Sequence, residues 1–409
     1  MWSTGNEIAS FRSGGAQDAS VLTYGKPLAD FVRSLDTTRP VTQGAAMGLA
    51  NFYTLAADAP NWSYLDLIDS HYQNDLVNYA HNSLLPLHDG HPSLPLVVGE
   101  AWHEEIYDDW KSVTDHPWAI GTFSWTGWDY IGESGGGIPQ IFPVGSPIST
   151  ASNPPAVGYP WISSYQGDHD LIGTAKPQMY WKRVVWGMSD LELAVERPTP
   201  DGYEQRAKIW SYYDELQSWT WPGCDGKTMV VRVYTSGDSV ALELNGQRLA
   251  TNPVAEGDKR VTVFKVPYAP GTLTAIASRN GAEISRKSFV TTGDPAAVRL
   301  TPDVKHLQGA GRLSHVLVEI VDAQGRLVPD AVEKVQFGIS GPGELIAVGS
   351  ANPHYVDSFQ LPRRYTYHGQ ALAVVRATGE TGAIQLTAGS TRAATVTLTI
   401  PSTPVPNGK

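Results

Sequence analysis

The sequence predicts a multidomain fold in which an α/β part is followed by two all-β sandwiches. Ten of the 13 tryptophans precede residue 190, and none follows Trp221. Up to about residue 188, strand-like and helix-like segments alternate, which is typical of a parallel sheet covered by helices. Beyond Ser189 the chain changes to short alternating runs, and Asn-Gly pairs at 245–246 and 280–281 predict tight hairpin turns.

Composition limits the kinds of partner that this chain can have. It has 409 residues, 41% of them hydrophobic, and a net charge of −11. No run of Lys or Arg is present, so we expect no nucleic-acid partner. No apolar run is long enough to span a membrane, and the single cysteine, Cys224, rules out an internal disulfide framework. The sequence predicts no cofactor and no metal.

The α/β part is built from short apolar runs that end at polar residues. Predicted strands cover 1–5, 40–46, 64–68, 94–98 and 119–128, and predicted helices cover 18–35, 74–85, 103–110 and 176–186. Residues 134–160 are rich in Gly, Pro and Ser and predict a long surface loop. We therefore assign residues 1–188 to the α/β domain.

The rest of the chain predicts two sandwiches of about 100 residues each. The first, residues 189–294, contains alternating runs at 230–234, 240–244, 261–266 and 273–278. The second, residues 295–401, contains runs at 298–301, 316–321, 335–339, 371–376, 383–388 and 394–400. Residues 402–409 are polar and Pro-rich and predict a disordered tail.

Two glutamates are the candidate catalytic groups. Glu7 follows the first predicted strand, and Glu100 ends the buried run LPLVVGE, 93 residues later. Strand C-termini are where barrel enzymes carry their catalytic groups. A pair of carboxylates in an aromatic-lined pocket is what glycoside hydrolysis requires. Spacing alone leaves the alternatives open, because a core carboxylate with structural partners and ordinary packing of the tryptophans fit the same pattern.

Local motifs make the prediction more specific. MWSTGNEI at 1–8, VVGEAW at 97–102 and FSWTGWDYIGE at 123–133 resemble glycoside hydrolase family 2, as do TTRPVTQ at 37–43 and LDLIDSHYQN at 65–74. The stretch 163–186 resembles the end of that family's barrel. Residues 230–249 and 296–400 resemble sandwich domains that follow the barrel in its bacterial β-galactosidases. The resemblance implies a partial (β/α)8 (TIM) barrel followed by two immunoglobulin-like sandwiches.

The resemblance also implies roles for individual residues. Glu7 is the general acid/base and Glu100 the nucleophile of a retaining exo-β-glycosidase. Asn6 contacts the hydroxyl beside the reacting carbon, Tyr72 hydrogen-bonds Glu100, and Trp125 forms the floor of the sugar site. His71 and Trp128 are further candidates for substrate binding, although the sequence favours a neutral core histidine over a sugar contact for His71. Asp129 and Glu133 fit either sugar contact or structural pairing.

One departure from the family pattern bears on partners. In the family the Asn-Glu motif ends the fourth of eight barrel strands, whereas here it lies at residues 6 and 7. We therefore expect a truncated barrel with an open edge, completed by a homo-oligomer or by a complementing amino-terminal chain. The expected substrate is a β-galactoside or related oligosaccharide. The alternatives are a β-glucuronidase or another exo-β-glycosidase of this family, and an inactive remnant that binds carbohydrate or a partner.

Overall fold

The computed structural model describes residues 1–7, 25–45, 64–72, 84–147, 158–207 and 210–405. Several predicted features lie wholly or partly outside these residues: the start of the helix at 18–35, nearly all of the helix at 74–85, part of the loop at 134–160 and the end of the tail. No helix in the described ranges is long and apolar enough to cross a membrane.

The described chain divides into two compact units. The first contains Met1–Gly127 with two short later segments, Val185–Met188 and Ala207–Tyr212. The second contains Trp128–Val184, Ser189–Arg206 and Tyr213–Lys409.

The first unit is a parallel sheet with helices. Its five strands lie side by side in chain order: β1 (Trp2–Asn6), β2 (Val41–Ala45), β3 (Ile68–Ser70), β4 (Leu96–Ala101) and β5 (Ala119–Ser124). Its helices are α1 (Lys26–Leu35), α2 (Leu84–Gly90) and α3 (Ile106–Asp115). This order agrees with the predicted alternation of strands and helices.

Burial explains why β4 holds the centre of this sheet. Leu96, Val97 and Val98 are almost completely buried, as expected for a parallel strand with neighbours on both sides. The core beneath it includes Ala29 of α1 and Val41 of β2. Glu100 therefore belongs to a well-packed strand of the sheet.

The second unit begins with one helix and two paired strands. Helix α4 (Pro177–Val185) lies close to the predicted bounds. Strand β6 (Gln140–Pro143) lies inside the stretch 134–160 that was predicted to be a loop. It pairs antiparallel with β8 (Tyr203–Arg206). The four residues of β6 carry no strand signal of their own, and their partner lies about 60 residues away, so local sequence did not reveal this pairing.

Two pairs of sheets, antiparallel except for the parallel pairing of β17 (Leu307–Gln308) with β24 (Val396–Thr403), make up the rest of the second unit. The first pair is β13-β10-β7-β9 and β12-β11-β14-β15, formed by β7 (Leu191–Glu196), β9 (Glu215–Leu216), β10 (Thr228–Thr235), β11 (Ser239–Leu244), β12 (Gln247–Pro253), β13 (Val261–Pro267), β14 (Thr272–Arg279) and β15 (Ala282–Val290). Both sheets contribute to one apolar core, which includes Leu193, Val231, Leu242 and Ala275.

The second pair of sheets follows the same plan. It is β16-β18-β22-β20 and β17-β24-β23-β19-β21, formed by β16 (Ala297–Pro302), β17 (Leu307–Gln308), β18 (Leu313–Val321), β19 (Lys334–Ser340), β20 (Gly343–Gly349), β21 (Arg363–Tyr365), β22 (Gln370–Ala377), β23 (Gly382–Gly389) and β24 (Val396–Thr403). Strand β24 continues to Thr403 because Ser402 and Thr403 pair with β17, so these two residues of the predicted tail are ordered in a strand.

Candidate active site

The candidate catalytic residues lie where parallel strands of the first unit end. Glu7 follows β1, His71 and Tyr72 follow β3, and Glu100 is the penultimate residue of β4. Backbone hydrogen bonds keep these ends in register: the Tyr72 N–H donates to the Glu100 carbonyl at 2.6 Å and the Glu7 N–H to the Gly44 carbonyl at 3.0 Å. Both glutamates therefore lie at the ends of parallel strands, as the sequence predicts.

The two glutamates are brought together around His71. One oxygen of Glu7, one oxygen of Glu100 and a ring nitrogen of His71 lie within 4.8 Å of one another. Glu7 and Tyr72 both have positive φ, 48° and 55°, which is uncommon for residues with a side chain and often marks a functional site. One oxygen of Glu7 and one of Glu100 are thus no more than 4.8 Å apart, whereas the carboxyl groups lie about 5–5.5 Å apart in retaining glycosidases and about 6.5–9.5 Å apart in inverting ones.

Glu100 is the more enclosed carboxylate. It is 8% exposed, and burial raises its pKa. Three neighbours act in the opposite sense, since hydrogen bonds from the Tyr72 hydroxyl and the Asn6 side chain and the charge of His71 all favour the ionised form. A buried carboxylate with donors aimed at it is suited to act as an anion.

His71 lies at the centre of three carboxylates. Its Nδ1 is 3.0 Å from Glu7 Oε1 and 3.6 Å from Glu100 Oε2, while its Nε2 is 3.9 Å from Asp69 Oδ1. Burial alone lowers the pKa of His71, but the hydrogen bond to Glu7 and the three negative charges outweigh it and raise the pKa. This environment favours an imidazole that carries or shares a proton over a neutral core histidine.

Two glycines make room for these buried groups. A Cβ on Gly99 of β4 would lie 1.9 Å from Asp69 Oδ1, and a Cβ on Gly44 of β2 would lie 2.6 Å from His71 Nε2. The N–H of Gly99 donates to the Asp69 carboxylate, whose pKa burial raises to about 6. Asp69 was not among the residues predicted from the sequence. It lies two residues before His71, and in an extended strand this spacing places two side chains on the same face.

Aromatic rings pack around Tyr72, whose hydroxyl donates to Glu100. Trp125 directly follows β5, and its backbone N–H donates to the Ala101 carbonyl at 3.0 Å. Tyr72 stacks on Trp102, with ring centroids 4.8 Å apart, and meets the edge of Trp210 at 5.2 Å. Trp102 follows Glu100 closely in sequence, but nothing in the local sequence around Trp210 predicts its place beside Tyr72.

The remaining candidates lie in the second unit. Trp128 is 52% exposed and stacks on His169. Asp129 is buried and accepts hydrogen bonds from Lys176 Nζ at 3.0 Å and the Gly167 N–H at 2.7 Å. Glu133 accepts a hydrogen bond from the Tyr130 hydroxyl. These contacts favour structural pairing over sugar contact for Asp129 and Glu133.

Glu7, His71 and Glu100 also raise the question of a metal. Within the described part of the chain, these three side chains each offer an atom that could bind a metal ion, and the three atoms lie within 4.8 Å of one another. The close approach of His71 to Glu7 is a hydrogen bond, with Nδ1 3.0 Å from Oε1.

Comparisons with known proteins agree with the sequence motifs. Residues 298–399 match the glycoside hydrolase family 2 C-terminal domain 5, and residues 226–285 match a domain of unknown function, DUF4982. The chain is 26% identical to the beta-galactosidase BoGH2A of Bacteroides ovatus, over 95% of this chain and 48% of that protein. The predicted resemblance to family 2 is thus confirmed.

Two further relatives are a curated protein with a different named activity and a solved structure of the same family. A beta-glucuronidase of Formosa agariphila is 29% identical over 44% of this chain and 16% of its own length. The crystal structure of a glycosyl hydrolase family 2 member from Bacteroides cellulosilyticus superposes with a TM-score of 0.80 at 31% identity, covering 98% of this chain and 49% of that one. The chain therefore spans about half the length of these relatives or less.

Proposed function

This chain is related to glycoside hydrolase family 2 along nearly its whole length, and we propose that it carries the catalytic pair of a retaining exo-β-glycosidase, a β-galactosidase. The observation that carries the proposal is the cluster of Glu7, His71 and Glu100, whose donor atoms lie within 4.8 Å of one another. Fold-level likeness alone would not support a mechanism, because function resides in the site.

The proposed reaction is a double displacement. A carboxylate oxygen of Glu100 attacks the anomeric carbon while the bond to the aglycone oxygen breaks and Glu7 gives that oxygen its proton. Glu7 then takes a proton from water, and the water oxygen attacks the anomeric carbon and releases Glu100. Tyr72 and Asn6 support this role for Glu100, because their hydrogen bonds favour its anionic form.

His71 is proposed to hold a proton with Glu7. Its Nδ1 lies 3.0 Å from the acid/base oxygen, so one proton can reside on the imidazole or on the carboxyl. The charge of His71 also lowers the cost of placing Glu7, Glu100 and Asp69 side by side.

The sugar is proposed to be galactose because the relative that aligns with 95% of this chain is named a beta-galactosidase. The β-glucuronidase alternative is kept because one of the relatives above carries that name. Trp125 is proposed as the floor of the sugar site, and the half-exposed indole of Trp128 as a further stacking surface.

The fold proposal follows the same relationship. We take the five parallel strands as part of a (β/α)8 barrel within a domain at 1–188, and the two sheet pairs as immunoglobulin-like domains at 189–294 and 295–401. The partner proposal is a homo-oligomer or a complementing amino-terminal chain.

Kinetics on nitrophenyl glycosides test the function. The full chain should release nitrophenol from the β-galactoside faster than from the β-glucuronide. Glu100→Gln should lose about 10⁴-fold or more in kcat, as expected for a catalytic nucleophile. Glu7→Gln should lose about 10²–10⁴-fold on poor leaving groups, and much less on a dinitrophenyl glycoside, whose leaving group needs no proton.

Glu380→Gln, at an exposed position, is the matched control and should leave kcat unchanged. Preference for the glucuronide would move the assignment to β-glucuronidase. Absence of turnover on every glycoside, alone and with a complementing amino-terminal chain, together with retained binding of galactosides, would support the inactive carbohydrate-binding remnant.

A further inference from the structure

An aromatic cluster supports the tyrosine that holds Glu100. Tyr72 and Trp102 stack with centroids 4.8 Å apart and planes 20° apart. Trp210 meets both rings edge-on, at 5.2 Å from Tyr72 and 6.2 Å from Trp102. The edge of His71 lies on the Tyr72 ring as well, at 5.9 Å. The Tyr72 ring is therefore enclosed by three other rings.

Trp210 is distant in sequence from the residues that it contacts. It lies 138 residues after Tyr72, yet its segment, Ala207–Tyr212, forms part of the first compact unit. Its φ is 72°, a conformation that bulky residues rarely adopt and that persists only where the surroundings determine it. The backbone is thus held in a costly shape at the point where the indole meets the cluster.

The cluster acts on Glu100 through one hydrogen bond. The hydroxyl of Tyr72 donates to Glu100 Oε2, and Tyr72 itself is 7% exposed. The direction of that hydroxyl depends on the tilt of the ring, which Trp102 limits on one face and Trp210 limits at the edge. Loss of the indole would let the ring tilt and weaken the hydrogen bond.

We infer that Trp210 is a positioning residue for the nucleophile, which it orients by fixing the ring of Tyr72. This inference rests on the proposed function, because it takes Glu100 as the nucleophile. It adds a residue from beyond β8 to a site whose other proposed members precede residue 129.

Trp210→Ala should lower kcat on the β-galactoside by up to about 10²-fold, since a displacement of about 1 Å at a reacting group has an effect of that size. KM should change little. The acidic limb of kcat/KM should move to higher pH, because the Tyr72 hydrogen bond lowers the pKa of Glu100. The other titratable groups that face Glu100 are Glu7, Asp69 and His71, and the substitution leaves these unchanged.

Trp210→Phe keeps an aromatic edge and should recover most of the lost kcat. Tyr72→Phe, which removes the hydroxyl, should show the same direction of pH shift as Trp210→Ala. A rise in KM with unchanged kcat would mean that Trp210 contacts the sugar, and it would overturn the inference. A lower melting temperature with unchanged kcat and pH profile would reduce Trp210 to a structural residue.

Failure of the proposed function is distinguishable from failure of this inference. If the wild-type chain has no glycosidase activity, the titration of Glu100 is followed by ¹³C NMR of labelled glutamate carboxyls, with Glu100→Gln identifying the signal. An upward shift of its pKa in Trp210→Ala supports the positioning contact, and an unchanged titration curve overturns it.

Discussion

At the scale of single residues, His71 decides how the site handles protons. Its side chain is 3% exposed and lies against Glu7, Asp69 and Glu100. Because a cluster of three carboxylates, of which Asp69 and Glu100 are buried, is electrostatically costly, a histidine that carries a proton is the natural counter-charge. The site residues thus depend on one another, and the charge of His71 lowers the pKa of Asp69 and of Glu100.

His71→Gln should shift the pH profile. Glutamine can still donate a hydrogen bond to Glu7 but carries no charge, so the pKa of Glu100, which His71 lowers, should rise further above its ordinary value. The nucleophile must be ionised, so activity should fall most at low pH. A rise of one pKa unit costs about tenfold in the ionised fraction below the pKa, and we expect kcat/KM to fall by about that much more at pH 5 than at pH 8.

His315→Gln, a substitution at an exposed histidine paired with Asp303, is the control and should leave the profile in place. An equal loss of kcat/KM at every pH in His71→Gln would contradict the electrostatic role and leave a steric one.

The residues found from sequence share a local signal. Glu7 and Glu100 each follow a strand-like run, and Asn6 and Tyr72 belong to motifs beside them. Asp69 was missed because one buried carboxylate in a strand resembles any other. Trp210 was missed because its contact with Tyr72 depends on how distant segments meet, which no local pattern encodes.

At the scale of elements, the close approach of β3 and β4 sets the geometry of the site. The Asp69 side chain of β3 occupies the space beside Gly99 of β4, where a Cβ would lie 1.9 Å from it. Parallel strands with this contact tolerate only glycine at that position. The glycine before Glu100 is therefore a requirement of the buried Asp69 and His71.

Gly99→Ala should lower both stability and turnover. The methyl group must displace Asp69 and, through it, His71, and overpacking of this kind costs about 1–3 kcal/mol. Gly121→Ala in β5 is the matched control, because a Cβ there meets nothing within 4 Å. Thermal unfolding and kcat on the β-galactoside measure both effects, and equal values for the two variants would show that the contact does not constrain the site.

Elements were predictable where their own residues carry a pattern. β10 and β14 alternate and were found, with their ends extended by a few residues. β7 was missed because all six residues are buried, including Glu192 and Glu196, whose partners Lys287 and Arg232 come much later in the chain. Paired buried charges make such a strand look like a polar connection.

At the scale of the whole molecule, the edges of the parallel sheet are the main feature to explain. β1 and β5 are its outer strands, and Trp2, Ile120 and Phe123 on them are 44%, 54% and 53% exposed. Exposed apolar side chains on strand edges invite pairing with further strands. The order of the α/β and all-β parts was predictable from composition, whereas what covers these edges is not a property of local sequence.

We therefore expect the active species to contain more than one copy or a complementing chain. Light scattering after size-exclusion chromatography should give a mass above that of one chain, and specific activity should fall on dilution. Phe123→Ser should weaken this association, while Tyr203→Ser, an exposed aromatic of β8 in the second unit, should not. A monomer with concentration-independent specific activity would contradict this expectation.

Covalent trapping tests most directly whether Glu100 is the nucleophile of a retaining glycosidase. A dinitrophenyl 2-deoxy-2-fluoro-β-galactoside slows release of the glycosyl-enzyme, and peptide mass mapping then locates the sugar. We expect one sugar per chain, on Glu100, and no labelling in Glu100→Gln. A sugar attached to any other residue, or turnover that gives the inverted anomer without a trapped species, would contradict Glu100 as the nucleophile of a retaining glycosidase.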